Sequence, residues 1–212
     1  GTPYGLQMAP VVKVSAVIAA WDEKPNVEPL TRRLASVLDG LAGIRWEIVY
    51  VVAGTDGTRE VLEGLSREMP GIRVLYQPQP EGLGAAFRRG FAAAAPDADV
   101  VVTMDADLNH QPEELPRLLA AFLERRCDIL VGSRFMRGGT VDRVPRWKSA
   151  LSRSLNPFMR TAFRMKIRDL TSGYRLYRRE VLATVPFSSD NFAFLPELLF
   201  EAAARPAHRG GA

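Results

Sequence analysis

The sequence predicts an α/β fold, a mostly parallel sheet with helices on both faces. Short runs rich in Val, Ile and Ala recur at Val11–Ala19, Glu47–Ala53, Ile72–Gln77, Val100–Met104 and Asp128–Gly132. Stretches with apolar residues at helical spacing lie between them, so strand and helix alternate. The strand runs are apolar nearly throughout instead of alternating, the pattern of strands covered on both faces.

Taken in order, Val11–Ala19 is a buried strand. Pro29–Leu41 carries Leu30, Leu34, Val37, Leu38 and Leu41 at helical spacing, and Gly43 ends it. Glu47–Ala53 is the second strand. Thr58–Glu68 is a helix with Val61, Leu62 and Leu65 on one face and Thr58 as its cap. Ile72–Gln77 is a third strand and Gly84–Ala95 an alanine-rich helix. Val100–Met104 is the fourth strand and runs into an acidic turn. Pro112–Arg125 is a helix with Pro112 in its first turn. Asp128–Gly132 is the fifth strand. Ligands of such sheets sit at the carboxyl ends of strands, which directs attention to Trp21–Glu23, Ala53–Asp56, Asp105–Asn109 and Ser133–Arg134. Residues 11–200 read as one domain, with 1–10 and 201–212 as tails.

Composition narrows the function. At 47% hydrophobic and 25% charged residues the chain is an ordinary globular one. No apolar run reaches the roughly 18–20 residues that span a bilayer. The N-terminus has no basic, then apolar, secretory pattern. A single cysteine, Cys127, excludes an internal disulfide. A cytoplasmic location is the expectation. The net charge of +4 is unevenly spread: Gly132–Glu180 holds 13 Lys and Arg against three acids. Such a block suits phosphate, nucleic acid or an anionic membrane face. No helix-turn-helix or RNA-binding signature accompanies it, so no nucleic-acid partner is expected. Within it, Arg143–Met165 reads as a basic amphipathic stretch interrupted by Pro145 and Pro157, suited to lie on a membrane or to pack on the sheet.

Four motifs carry chemistry. In Met104–Pro112, MDADLNHQP, extended backbone puts the side chains of Asp105, Asp107 and Asn109 on one face. Two carboxylates and an amide oxygen suit Mg²⁺ or Mn²⁺, which clamps a diphosphate. His110 reads as a solvent-facing or packing residue in preference to a ligand. In Glu81–Phe87, EGLGAAF, Gly82 and Gly84 let backbone approach a ligand at a helix start. In Val131–Gly139, VGSRFMRGG, Arg134 leaves a strand end with a geometry suited to phosphate. Asp169–Arg175, DLTSGYR, combines a carboxylate, hydroxyls, a glycine and a guanidinium.

The order of these motifs resembles the family 2 glycosyltransferases of GT-A (Rossmann-like) fold, most closely the dolichol-phosphate mannose synthase and polyprenyl-phosphate glycosyltransferase branch. The resemblance runs from about Val12 to Leu199. It implies an inverting, metal-dependent enzyme that moves a hexose, mannose favoured, from a GDP- or UDP-sugar to a polyprenyl or dolichyl phosphate. It implies catalytic roles for Asp105, Asp107 and Arg134, and a metal, Mg²⁺ or Mn²⁺, on Asp105, Asp107 and Asn109. Trp21, Glu23, Gly82, Gly84 and Asp105 match positions around the donor. Arg134, Lys148, Ser152 and Arg175 match positions for the acceptor phosphate, with Lys148 standing where the family usually has Arg. Thr171, Ser172, Gly173 and Tyr174 match the second signature motif, near the acceptor. Without a spanning helix, membrane contact is expected to be peripheral, at the inner face, or supplied by a missing part or a partner.

The chain departs from the family in three places. The first strand ends Ala19-Ala20-Trp21-Asp22-Glu23 in place of Pro-x-Tyr-Asn-Glu. Val51 and Val52 stand where the family has an aspartate pair that helps recognise the base. The chain also stops early for the family, as a C-terminal truncation would. The valines and the short tail support an alternative, a non-catalytic or impaired relative that binds phosphate lipid or a partner. A third reading, transfer to a sugar hydroxyl, needs a carboxylate base, and Asp169 is the single carboxylate between Arg143 and Arg179.

Overall fold

The computed structural model describes residues 11–125, 128–132, 172–184, 188–191 and 193–198. Six strands form one sheet. They are β1 (Val12–Trp21), β2 (Ile44–Ala53), β3 (Ile72–Tyr76), β4 (Val100–Asp105), β5 (Ile129–Val131) and β6 (Arg175–Arg178). Their order is β3-β2-β1-β4-β6-β5. β1 pairs in parallel with β2 and β4, and β2 with β3. β6 runs antiparallel to both β4 and β5. The five predicted strands are all present, and β6 is the addition.

The helices are α1 (Lys24–Asp39), α2 (Thr58–Glu68), α3 (Leu83–Ala93), α4 (Leu115–Arg125) and α5 (Arg179–Thr184), with a 3₁₀ turn at Pro112–Glu114 and a helical stretch at 194–198. The two-residue period of the strands sorts their side chains into two cores. On one face Val14, Ala16, Ile18, Ile48, Tyr50, Val100 and Val102 pack with Leu30 and Leu34 of α1, Leu62 of α2 and Leu119 of α4. On the other, Val17, Val49, Val101 and Tyr177 pack with Phe87 and Phe91 of α3 and with Phe194 and Leu198. Helices therefore cover both faces, as the continuous apolar runs require.

Two helix starts differ from expectation. α1 begins at Lys24, five residues before Pro29, which lies inside it. Pro25 occupies the first turn, where its missing N–H is unpaired in any case, and Pro29 follows closely enough to forfeit about one backbone bond. The buried stripe Val27, Leu30, Thr31, Leu34 and Leu38 offsets that loss. The cap of α2 also differs. Gly57 is its N-cap, and the N–H of Thr58 donates to Asp56 Oδ1 at 2.9 Å.

β6 shapes the carboxyl end of the sheet. It pairs Thr103 with Arg175 and Val131 with Arg175, so it separates two strands that are consecutive along the chain. That insertion returns Ser172–Tyr174 to the carboxyl end of β4.

Candidate active site

The carboxyl ends of β1, β2 and β4 form an acidic edge. At the end of β1, Trp21 is 63% exposed. Asp22 follows at φ 52°, a left-handed conformation that aspartate tolerates better than most side chains. Its Oδ1 accepts the N–H of Thr55 at 2.9 Å and of Asp56 at 3.3 Å. In return Asp56 Oδ2 accepts the N–H of Lys24 at 3.0 Å, and Thr58 Oγ1 accepts that of Glu23 at 2.9 Å. The β1–α1 and β2–α2 loops are thereby laced by reciprocal side-chain-to-backbone bonds.

Glu23 accepts a bond from Asn26 Nδ2 at 2.7 Å. Its carboxyl is nevertheless pushed above the usual glutamate range. Burial is the main cause, the Asn26 bond opposes it, and repulsion from Asp107, Asp56 and Asp105 adds to it. The three aspartates thus act on Glu23 across the edge.

β4 ends at Asp105, and the chain then turns through Leu108 at φ 60°. This corrects the expectation of a continued extended run through Asn109. Instead Asp107 Oδ1 accepts the N–H of Asn109 at 3.0 Å, and the Asn109 amide donates to Asp107 Oδ2. Asp107 and Asn109 are exposed, and Asp105 is part-buried. Among the described residues no three His, Cys, Asp or Glu side chains form a complete metal cage. Asp105 and Asp107 nonetheless fit a Mg²⁺- or Mn²⁺-like ion. Such ions favour hard oxygen donors and take one or two protein carboxylates, filling their remaining positions with water and phosphate. The repulsion that acts on Glu23 is the field a cation relieves.

Gly82 and Gly84 sit at the start of α3, as expected, but backbone of the same chain fills the space beside them. A Cβ at Gly82 would fall 2.1 Å from the Asp190 carbonyl oxygen, and one at Gly84 1.9 Å from that of Ser189. The N–H of Gly84 donates to Asp190 O at 2.8 Å. Arg88 donates to Ser189 O at 3.2 Å and pairs with Asp190. The close approach that requires these glycines is therefore that of segment 188–191. Glu197 anchors the same segment. It accepts the N–H groups of Ser188 at 2.9 Å and Ser189 at 3.0 Å, and bonds from both residues hold its carboxyl down at about 2.

Arg175, which the resemblance assigns to the acceptor phosphate, has a different setting here. It is completely buried, donating from Nε to Ser172 O at 2.8 Å and from Nη1 to Leu195 O at 2.6 Å. As the first residue of β6 it points to the Tyr177 side of the sheet, where residues 193–198 cover it. This guanidinium ties two chain segments together. Val51 and Val52 are buried in the sheet. Arg134, Lys148 and Ser152 lie outside the described residues.

The contacts that the sequence does not indicate lie on the β4–β6 side. His110 is 4% exposed, with Nδ1 3.5 Å from Asp105 Oδ2 and Nε2 3.3 Å from Ser172 Oγ. Its sequence signal is one histidine, which carries no indication of a partner 62 positions away.

The profile of the family described as Glycosyl transferase family 2 matches residues 15–185. The chain belongs to that family. It is 36% identical over 194 residues to a dolichol-phosphate mannosyltransferase of Pyrococcus furiosus, covering 90% of this chain and 53% of that protein. It is 33% identical over 199 residues to a polyprenol monophosphomannose synthase of Mycolicibacterium smegmatis, covering 91% and 73%. The chain thus spans about half the length of the first relative. Its fold is similar to that of glucosyl-3-phosphoglycerate synthase from Mycobacterium tuberculosis, solved with Mn²⁺, UDP and glucosyl-3-phosphoglycerate. The TM-score is 0.67 at 23% identity, over 90% of this chain and 64% of that one. The GT-A-like fold of this family member agrees with the α/β reading of its sequence.

Proposed function

We propose that the chain transfers a hexose, mannose favoured, from a GDP- or UDP-sugar to a polyprenyl phosphate, inverting the anomeric carbon. The observation that carries this reading is the gathering of Glu23, Asp56, Asp105 and Asp107 at the carboxyl ends of β1, β2 and β4, where the three aspartates act on the half-buried Glu23 carboxyl. Similarity to enzymes named as mannosyltransferases of polyprenyl-type phosphates supports the sugar and the acceptor.

Asp105 and Asp107 hold the divalent ion, with Asn109 orienting Asp107. When bound, the ion neutralises charge on the diphosphate as it leaves. Trp21 and Glu23 border the donor. The acceptor phosphate oxygen attacks the anomeric carbon in line, and the bond from that carbon to the nucleotide oxygen breaks with its electron pair. The nucleophile is anionic at neutral pH, so the step needs no proton acceptor. Catalysis rests on alignment and charge compensation. Arg134, Lys148 and Ser152, in the basic block, hold the acceptor.

Among the described residues no helix is long and apolar enough to cross a membrane. The basic stretch Arg143–Met165 suits contact with the anionic membrane face where the lipid acceptor lies. The test is transfer of labelled sugar from GDP-mannose, GDP-glucose, UDP-glucose and UDP-mannose to a short polyprenyl phosphate, with Mn²⁺ or with chelator. Metal-dependent glycolipid from GDP-mannose is expected. A folded protein that gives no product from any donor supports the non-catalytic alternative that Val51 and Val52 favour.

A further inference from the structure

One cluster beside the acidic edge makes no contact that the proposed reaction uses directly. His110 lies buried between Asp105 and Ser172, at 3.5 and 3.3 Å from their oxygens. Its ring meets Tyr174 edge-on, with centroids 5.3 Å apart and planes at 61°. The N–H of Tyr174 donates to Ser172 Oγ at 3.3 Å. Between them Gly173 lies flat against the Asp105 carboxylate. A Cβ there would fall 2.4 Å from Oδ1 and 2.8 Å from Oδ2. The Gly173 carbonyl is fixed in turn by Thr103 Oγ1 at 2.7 Å, on the strand that pairs with β6.

These contacts have a consistent polarity. A neutral imidazole donates from one nitrogen and accepts at the other. With the proton on Nδ1, the ring presents N–H to Asp105 and accepts the Ser172 hydroxyl hydrogen at Nε2. The Ser172 oxygen meanwhile accepts from Tyr174. The direction of every donor is then set by a main-chain N–H at the approach to β6, and the series ends at Asp105. At 3.5 Å the imidazole orients the carboxylate by its field without a short hydrogen bond.

We propose that His110 and the Ser172–Gly173–Tyr174 turn are positioning residues for Asp105, fixing the direction in which its carboxylate faces the divalent ion. The proposal rests on the metal reading above. It gives the turn a role different from the acceptor contact that its resemblance implies. A carboxylate at the last residue of a strand has free torsions, and an ion site needs it held to within a fraction of an ångström. Outer partners of this kind change metal affinity about 10- to 100-fold when removed.

The test measures Mn²⁺ binding to the full chain by electron paramagnetic resonance, alongside thermal unfolding, in wild type, Asp105→Asn, His110→Phe, His110→Gln and Ser172→Ala. Phenylalanine keeps the ring contact with Tyr174 and removes both nitrogens. The expected result is a folded His110→Phe protein whose Mn²⁺ affinity is ~10- to 100-fold weaker, with a broadened spectrum of the residual bound ion and partial recovery in His110→Gln. If His110→Phe does not fold, Ser172→Ala carries the same test, since it leaves the ring in place. Wild-type Mn²⁺ affinity in the folded histidine and serine variants, with loss in Asp105→Asn, overturns the positioning role alone. Wild-type affinity in Asp105→Asn overturns the metal reading and this proposal with it.

Discussion

The acidic edge has two sides, and they are built differently. On the β1–β2 side, carboxylates of Asp22 and Asp56 are exposed and accept main-chain N–H groups of neighbouring loops. On the β4–β6 side, Asp105 is held by buried groups, His110 and Gly173, in close packing. A side chain bonded to backbone at the surface can be replaced by water, so its removal is tolerated. A part-buried carboxylate wedged against a buried glycine and a buried histidine is less easily replaced by water. The difference teaches that the rigid part of the site is the strand seam, and the loops add charge to it.

Gly173→Ala has the largest expected effect. The added methyl collides with the Asp105 carboxylate, and overpacking of this kind costs about 1–3 kcal/mol. Loss of Mn²⁺ binding together with a lower melting temperature is expected, and calorimetry with spectroscopic metal titration reads both. Next is Asp56→Ala on the other side, which removes the acceptor for Thr58 and Lys24. Loss of such hydrogen bonds to main-chain N–H groups costs about 1 kcal/mol, with Mn²⁺ affinity nearly retained, as denaturant unfolding and the same titration will measure.

Two smaller effects depend on pH and have opposite signs. Glu197 is held down at about 2 by bonds from Ser189 and Ser188. Its contribution is present in full above pH ~4.5 and lost as pH falls toward 2. Glu197→Gln is therefore less stable than wild type at pH 7, and melting curves of the two converge in acid. Glu23 is shifted upward, chiefly by burial and then by its acidic neighbours. Its ionised form destabilises the ion-free protein at pH 7, and that penalty disappears below the ordinary glutamate range. Glu23→Gln is expected to melt slightly higher than wild type at neutral pH, with the gain vanishing in acid and shrinking when Mn²⁺ is added.

The same division separates what was legible in the sequence from what was hidden. The β1–β2 side was legible because its elements are local. Apolar runs mark the strands, and Thr58–Glu68 carries its helical stripe within one segment. Asp105 and Asp107 were legible because they come directly after VVVTM. The seam was hidden for physical reasons. Arg175–Arg178 is four residues long with charge at both ends, so no apolar run announces β6. Its pairing with β4 joins residues far apart in the chain, Thr103 with Arg175, and the burial of Arg175 and His110 exists only once that pairing forms. Likewise, Gly82 and Gly84 read as a ligand loop because nothing local predicts the arrival of segment 188–191 against them.

If the carboxylate edge binds a divalent ion together with a nucleoside diphosphate, calorimetric titration of GDP and of UDP, each with and without Mn²⁺, shows it most directly. The predicted result is binding of one nucleotide that requires Mn²⁺ and disappears in Asp105→Asn. No binding of either nucleotide to the folded protein, or binding indifferent to the metal, would contradict it.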